Sequence, residues 1–381
     1  MVGYNSKACK IVSLILLLIL AFGVFFGVFG AFLTQNDVVA NANSSGAEVV
    51  VEVYSGRVLR GKNIDARLPM ASTTKAMTAL VVIENAKDLQ KIVTIPKSAV
   101  GIEGSSIYLK EGEKLTIKEL LYGLMLRSGN DSAVALAIET AGSVEKFVKL
   151  MNERVKSLGL KNTNFVNPHG LHDKNHYTSA YDLAIIAAEG MKNEIFRQIV
   201  STKFYTVERE NSEEKRYFAN KNRILYSYSG ANGVKTGYTT DAGRCLIASS
   251  ERAGMQVVAV ALDCYDYFNK CAELMDYAHD NYYMAKVADK NTSYCEVKVN
   301  KSKVKTTELH VLEDEFYPLK KGSEEVSYEI DAVKEITAPH KSSDNLGEIR
   351  IKLGNHLLFT KKLYTISNIE KKKWFDFMSR S

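Results

Sequence analysis

The spacing of hydrophobic positions changes along the chain, and each change marks an element. Residues 11–33 carry no charge, and Lys7 and Lys10 precede them. These 23 residues (33 − 11 + 1) would make about 34 Å of helix, enough to cross a bilayer with the N-terminus inside. Ala40-Asn41-Ala42 then has the small-residue spacing that a signal peptidase reads. Cleavage after Ala42 and a retained anchor both remain open, and both export the folded part. An Asn-Ser-Ser-Gly-rich linker covers 43–49, and alternation over 48–54 predicts a strand turned at Ser55-Gly56. Residues 73–85 are apolar on nearly every side, which predicts a helix buried at a domain centre. Further helices are expected over 117–126, 131–141, 143–158, 179–190 and 194–200. The period then shortens, and 203–208, 233–239, 245–250 and 256–262 read as strands before a helix over 269–283.

From about Asn291 alternation takes over, in Val297/Val299, Leu309/Val311 and Ile349/Ile351/Leu353. Four segments follow from this pattern. Residues 1–42 are a signal peptide or membrane anchor, 43–287 an α/β (α+β) sandwich, 291–365 a small all-β domain and 366–381 an amphipathic tail. In the tail, Lys371-Lys372-Lys373 precedes Trp374, Phe377 and Met378, which share a helical face, as in an interfacial helix with a basic collar or a C-terminal helix docked on the β domain.

Composition narrows the class. With 381 residues, 46% hydrophobic and 25% charged, the chain is globular rather than disordered or collagen-like. A net charge of +6 without an Arg-rich block gives no reason to expect nucleic acid. Cys245, Cys264, Cys271 and Cys295 are too few for a disulfide framework and include no C-x-x-C. They read as buried thiols, with a Cys264–Cys271 bridge the conceivable exception. His169, His172 and His176 show no H-E-x-x-H and no regular spacing, so a metal site is not expected.

The candidate chemistry lies in three short motifs. Ser72-x-x-Lys75 is one of several such spacings, with Ser143/Lys146, Ser212/Lys215 and Ser302/Lys305. Only Ser72 starts a buried helix, where burial lowers the lysine pKa and free backbone N–H groups can hold an oxyanion. Ser128-Gly129-Asn130 breaks two helices and presents a hydroxyl and an amide; Ser343-Asp344-Asn345 is a similar triplet in the β domain and reads as a turn. Lys235-Thr236-Gly237 falls in a strand, with a charge and a hydroxyl for a carboxylate and a glycine that permits close approach.

In this order and spacing the motifs resemble the penicillin-binding protein and serine β-lactamase superfamily. Pro69-Met-Ala-Ser-Thr-Thr-Lys75, Ser128-Gly-Asn-Asp131, Asn167-Pro-His-Gly-Leu171, His176-Tyr-Thr-Ser179 and Gly233-Val-Lys-Thr-Gly-Tyr-Thr239 are similar to those of the low-molecular-mass D-alanyl-D-alanine carboxypeptidases (peptidase S11 family). The resemblance implies a serine β-lactamase/transpeptidase-like fold and removal of the terminal D-alanine from peptidoglycan stem pentapeptides. Ser72 would be the nucleophile, Lys75 its base and Ser128 the proton shuttle. Asn130, Lys235, Thr236, Gly237 and Tyr238 would bind substrate, and the N–H groups of Ser72 and Tyr238 would form the oxyanion hole. No metal or organic cofactor is implied. The implied partners are the stem peptide, β-lactam antibiotics as acylating inhibitors, and the membrane surface through the termini, at the extracytoplasmic face of a bacterial cell membrane. The family often has Arg before a Phe where this chain has Tyr267-Phe268, and Arg223 or Arg244 would have to substitute. A serine β-lactamase is the nearest alternative, but no Glu-x-x-Leu-Asn occurs between Asn130 and Lys235. A non-catalytic wall-binding or penicillin-sensing protein would not need the intact nucleophile motifs.

Overall fold

The computed structural model describes residues 46–208 and 215–372. The apolar stretch at 11–33, the cleavage site at 40–42, and Trp374, Phe377 and Met378 lie outside them. Among the described residues no helix is long and apolar enough to cross a membrane. The chain divides into two compact units, one running to Ser250 and including Val257–Met275, the other comprising Glu251–Gln256 and the chain from Asp276 on.

The first unit opens with β1 (Ala47–Glu52) and β2 (Val58–Lys62), an antiparallel pair. A 3-10 turn, Ala71–Thr74, leads into α1 (Lys75–Asn85). The short strands β3 (Ile92–Thr94) and β4 (Lys114–Thr116) pair before α2 (Ile117–Leu126), α3 (Asn130–Ala141) and α4 (Val144–Ser157). Next come α5 (Ala180–Lys192), α6 (Glu194–Ser201), the hairpin β5 (Phe204–Val207) and β6 (Arg216–Ala219), and the single turn α7 (Ile224–Ser227). β7 (Ala231–Thr239), β8 (Gly243–Arg252), β9 (Met255–Leu262) and α8 (Tyr267–Asn281) complete the run. The sheet order is β2-β1-β9-β8-β7, so the first strand is inserted beside the last. β1 and β9 are antiparallel, with Val49 opposite Val260 and Val51 opposite Val258.

Side chains alternate across a strand, so both faces of this sheet must be covered. Val49, Val51, Ile247, Val258 and Val260 join the core of the helices α1 to α6. Cys271 of α8 approaches the carbonyls of Leu246 and Ala259, which places that helix over the opposite face. The result is the mixed α/β sandwich expected from the pattern. Every residue from Lys75 to Ile83 is buried, as the all-round apolar pattern requires. α2 starts in a Thr116/Glu119 capping box, and Ser143, Ser179 and Asn193 cap α4, α5 and α6. α1 has no side-chain cap, because the chain enters it through the 3-10 turn instead.

The second unit is all-β after α8. β10 (Tyr282–Ala288) pairs with β13 (Glu315–Lys320). The strands β11 (Cys295–Asn300), β12 (Thr306–His310), β14 (Val326–Ala332), β15 (Glu335–Thr337), β16 (Gly347–Leu353) and β17 (His356–Thr365) form one sheet, ordered β14-β16-β17-β12-β11-β15. Val297, Val299, Leu309, Val311, Ile349 and Ile351 are buried as their alternation predicts. Two boundaries differ from expectation. The first strand begins inside the expected linker, at Ala47, and the last helix stops at Asn281 because Tyr282 and Tyr283 already pair with Lys320 and Leu319.

Candidate active site

The site is built on the turn Ala71–Thr74. Ala71 is held at φ +49°, a left-handed conformation that costs an L-residue about 1–2 kcal/mol. The turn carries the half-buried Ser72 over the fully buried Lys75, whose Nζ lies 3.0 Å from Ser72 Oγ. Nζ also donates to Asn130 Oδ1 at 2.6 Å and to the His169 carbonyl at 2.6 Å. Asn130 Nδ2 donates to the Glu103 carbonyl, which can only accept, so the amide orientation is fixed and Oδ1 faces the lysine. Two of the three lysine neighbours are therefore acceptors only. A neutral Lys75 must give its two hydrogens to them, and its lone pair is left pointing at the Ser72 hydroxyl.

Burial is the main force lowering the Lys75 pKa well below the usual lysine range; the Lys235 charge adds to it and Asp131 opposes it. Lys235, buried on β7, is lowered to about 7 by burial and then by Lys221. Burial thus favours the neutral amine at Lys75. Although β7 is an edge strand, Lys235 is buried, and its Nζ donates to the Thr236 carbonyl at 2.8 Å. Gly237 brings β7 against the turn that carries Ser72. A β-carbon there would stand 3.0 Å from the Ser72 nitrogen and 3.1 Å from Met70 O and Thr73 N. Tyr238 beside it is exposed.

Ser128, at φ +65°, sits in the break before α3. Its buried Oγ has no hydrogen-bond partner among the described residues, so it is free to bond a ligand. Asn130 departs from expectation: its amide is committed to Lys75 and Glu103. Behind it, the buried Asp131 carboxylate accepts from Ser106 Oγ and from the N–H groups of Ile107, Leu109 and Ser132. It thereby pins the segment whose Glu103 and Ser105 carbonyls hold Asn130. Arg216, in a buried pair with Glu113, braces the same segment through the Ile107 and Tyr108 carbonyls.

The fourth wall is the loop around Asn167-Pro-His-Gly-Leu171. Its Pro168 carbonyl accepts from Thr78 Oγ1 at 2.6 Å, and His176 Nε2 lies 2.7 Å from Thr74 Oγ1. Gly170, at φ +93°, lies against the Ala71 carbonyl, where a β-carbon would stand only 1.9 Å from the oxygen. Burial lowers His169 to about 3 and His176 to about 4, so both rings are neutral at pH 7. The three histidines point to different partners, with His172 turned to Asp241 at 3.8 Å.

Of the other Ser-x-x-Lys spacings, Ser212 lies outside the described residues and the remaining two are explained locally. Ser143 accepts from the Lys146 N–H as the cap of α4, and Ser302 makes an exposed turn with Val304. Ser343-Asp344-Asn345 lies in a turn before β16. Neither proposed substitute arginine is idle. Arg244 stacks on Tyr265 and Tyr267 and donates to the Tyr265 carbonyl, while Arg223 lies over Phe268. The conceivable Cys264–Cys271 bridge is not formed: the four cysteines among the described residues are free, and Cys264 and Cys295 are only partly buried. Sequence reasoning missed Thr74, Thr78, Arg216 and Lys221. The glycine in Asn-Pro-His-Gly was the one available hint that the loop approaches another backbone.

A sequence profile described as D-alanyl-D-alanine carboxypeptidase matches residues 34–265, and one for the C-terminal domain of penicillin-binding protein 5 matches residues 282–371. The D-alanyl-D-alanine carboxypeptidase DacF of Bacillus subtilis (strain 168) is 37% identical over 350 residues, covering 89% of this chain and 90% of its own. DacA of Haemophilus influenzae, with the same enzyme name, is 31% identical and covers 84% of each chain. Among solved structures, penicillin-binding protein 5 from Haemophilus influenzae matches with a TM-score of 0.69 at 30% identity, over 85% of this chain and 97% of that one. A serine-to-alanine variant of the Streptomyces K15 DD-transpeptidase matches with a TM-score of 0.57 at 35% identity, over 61% of this chain and 96% of that one. These likenesses extend across both units, and the chain therefore belongs to the D-alanyl-D-alanine carboxypeptidases, serine-type hydrolases of the low-molecular-mass penicillin-binding group.

Proposed function

We propose that Ser72 is the nucleophile that removes the terminal D-alanine from a peptidoglycan stem pentapeptide. The observation that carries this reading is the Nζ of the buried Lys75, 3.0 Å from the Ser72 hydroxyl and bonded otherwise only to two acceptors. Lys75 takes the hydroxyl proton while Oγ attacks the carbonyl carbon of the penultimate D-alanine. The oxyanion forms against the N–H groups of Ser72 and Tyr238, in the narrow gap that Gly237 leaves. The C–N bond then breaks, and Ser128 passes a proton to the departing amine. Water hydrolyses the ester with Lys75 again as base. Lys235 and Thr236 grip the terminal carboxylate, and Asn130 acts first on Lys75 and through it on the peptide. A β-lactam, whose amide and carboxylate mimic the D-alanyl-D-alanine end, acylates the same Ser72.

This scheme needs Lys75 neutral and Lys235 charged; burial favours the first, and a bound carboxylate would favour the second. The kcat/KM of D-alanine release, which reports the free enzyme, is expected to rise as Lys75 loses its proton and to fall as Lys235 titrates near pH 7. Bound carboxylate stabilises the ammonium, so the descending limb should weaken in kcat. Lys235→Arg keeps its charge and should abolish the limb in kcat/KM. An alkaline limb unchanged in that variant would remove Lys235 from the carboxylate site.

The chain is proposed to work on the extracytoplasmic face of a bacterial membrane. The uncharged residues 11–33 behind Lys7 and Lys10 support export, and the basic and aromatic tail at 366–381 supports surface anchoring. In a form lacking residues 1–42, deleting 366–381 should move the enzyme from the membrane to the soluble fraction. Unchanged membrane recovery of that form would deny the tail its role.

A further inference from the structure

We infer that His176, acting through the Thr74 hydroxyl, is a positioning residue that holds the nucleophile turn in its reactive shape. The inference rests on Ser72 being the nucleophile, and it adds a residue to that reading.

The direction of each hydrogen bond can be assigned without choice. A threonine hydroxyl has one proton, and Thr74 Oγ1 donates it to the Ala71 carbonyl at 2.8 Å. Towards His176 Nε2, 2.7 Å away, Thr74 must therefore accept. The ring must then carry its proton on Nε2. The other ring nitrogen confirms this, because Nδ1 faces the Val166 N–H at 3.1 Å and a backbone N–H can only donate. One directed chain results: Val166 N–H to Nδ1, Nε2–H to Thr74 Oγ1, and Oγ1–H to the Ala71 carbonyl. It requires a neutral ring, and burial keeps His176 neutral down to about pH 4.

The chain ends where the backbone is strained. Ala71 is the left-handed residue immediately before Ser72. If it relaxed to an ordinary conformation, Ser72 Oγ would swing away from Lys75 and the Ser72 nitrogen away from Gly237. The Ala71 carbonyl is fixed from one side by the glycine-only approach at Gly170 and from the other by Thr74. His176 is only 3% exposed and lies edge-on to Phe165 at 5.7 Å. The loop also holds Lys75 and Thr78, but through the main-chain carbonyls of His169 and Pro168. His176 is thus the side chain through which this loop reaches the turn, and a side-chain substitution can release it.

The test is acylation of the full chain by a fluorescent penicillin, resolved into a noncovalent Kd and an acylation rate constant, with melting temperature recorded. Mass mapping of the wild-type adduct comes first: an adduct on a residue other than Ser72 overturns the underlying reading and this one with it. Given an adduct on Ser72, Thr74→Val and His176→Ala should each slow acylation about ten- to a hundredfold, the scale of a misplaced nucleophile, with Kd changed less than about twofold. Thr74→Ser, which keeps the hydroxyl, should stay within about threefold of the wild type, and His176→Gln, which keeps an N–H donor, should recover part of the loss. The double variant Thr74→Val/His176→Ala should be no slower than the slower single one. Should Thr74→Val or His176→Ala fail to fold, Thr74→Ser and His176→Gln carry the same comparison against the wild type. Wild-type acylation in Thr74→Val or His176→Ala, losses that multiply in the double variant, or a Thr74→Ser enzyme as slow as Thr74→Val would each overturn the inference.

Discussion

Ser72→Ala is expected to take up no covalent penicillin and to release D-alanine at least about a thousandfold more slowly, as when a nucleophile acting in a unit with its base is removed. The fold should survive. Ser72 is half-buried, and its hydroxyl is bonded to Lys75, which keeps Asn130 and the His169 carbonyl as partners. A change in melting temperature of more than a few degrees would mean that the hydroxyl also holds the turn together. Ser143→Ala is the matching control, since Ser143 has the same spacing to a lysine. It caps α4, so its loss should cost about 1 kcal/mol of stability and leave acylation unchanged. Persistent labelling in Ser72→Ala, or loss of labelling in Ser143→Ala, would reject Ser72 as the reactive residue.

The second large effect is expected at Gly170, which touches no substrate in the proposed scheme. Alanine there would meet the Ala71 oxygen at 1.9 Å and its carbon at 2.5 Å, far inside van der Waals contact, at a φ of +93°. The clash is between backbones and no rotamer relieves it. Gly170→Ala should therefore destabilise the chain by about 2–4 kcal/mol and slow acylation about a hundredfold or more by displacing the turn. Gly142 separates strain from clash. It also has a left-handed φ, +81°, but nothing lies within 4 Å of an added β-carbon. Gly142→Ala should cost about 1 kcal/mol and leave the rate unchanged. Denaturant titration and penicillin acylation of both variants decide the matter, and equal behaviour would refute the proposed clamp.

Local pattern was enough to find the parts. The all-round apolar run of α1, the alternation of the β domain and the three motifs are each contained in short windows. What those windows lack is contact between distant residues. Thr74 and His176 are 102 positions apart, and no periodicity announces that they meet. Nor does local pattern show that Ala71 adopts a conformation usually left to glycine, or that the Asn130 amide is already engaged by Lys75 and Glu103. The same limit applies to Arg244. Its charge made it a candidate for the missing carboxylate contact, but the stacking on Tyr265 and Tyr267 appears only when the strands are assembled. A serine before an exposed amphipathic helix is a cap, and Ser143 is one.

The order of the sheet also governs when the enzyme comes into being. The strand bearing Lys235 is joined to β1 only through β8 and β9, and Val49 of β1 finds its partner 211 residues later (260 − 49) at Val260. Closing so long a loop is slow, and nothing rewards it until the last strand arrives. A nascent chain that ends short of Met255 already contains Ser72, Lys75, Asn130 and Lys235, but not the strand that β1 pairs with in the middle of the sheet. Synthesis of the site residues and completion of the site are therefore separate events, and Ser72 has no completed cleft around it until the sheet closes.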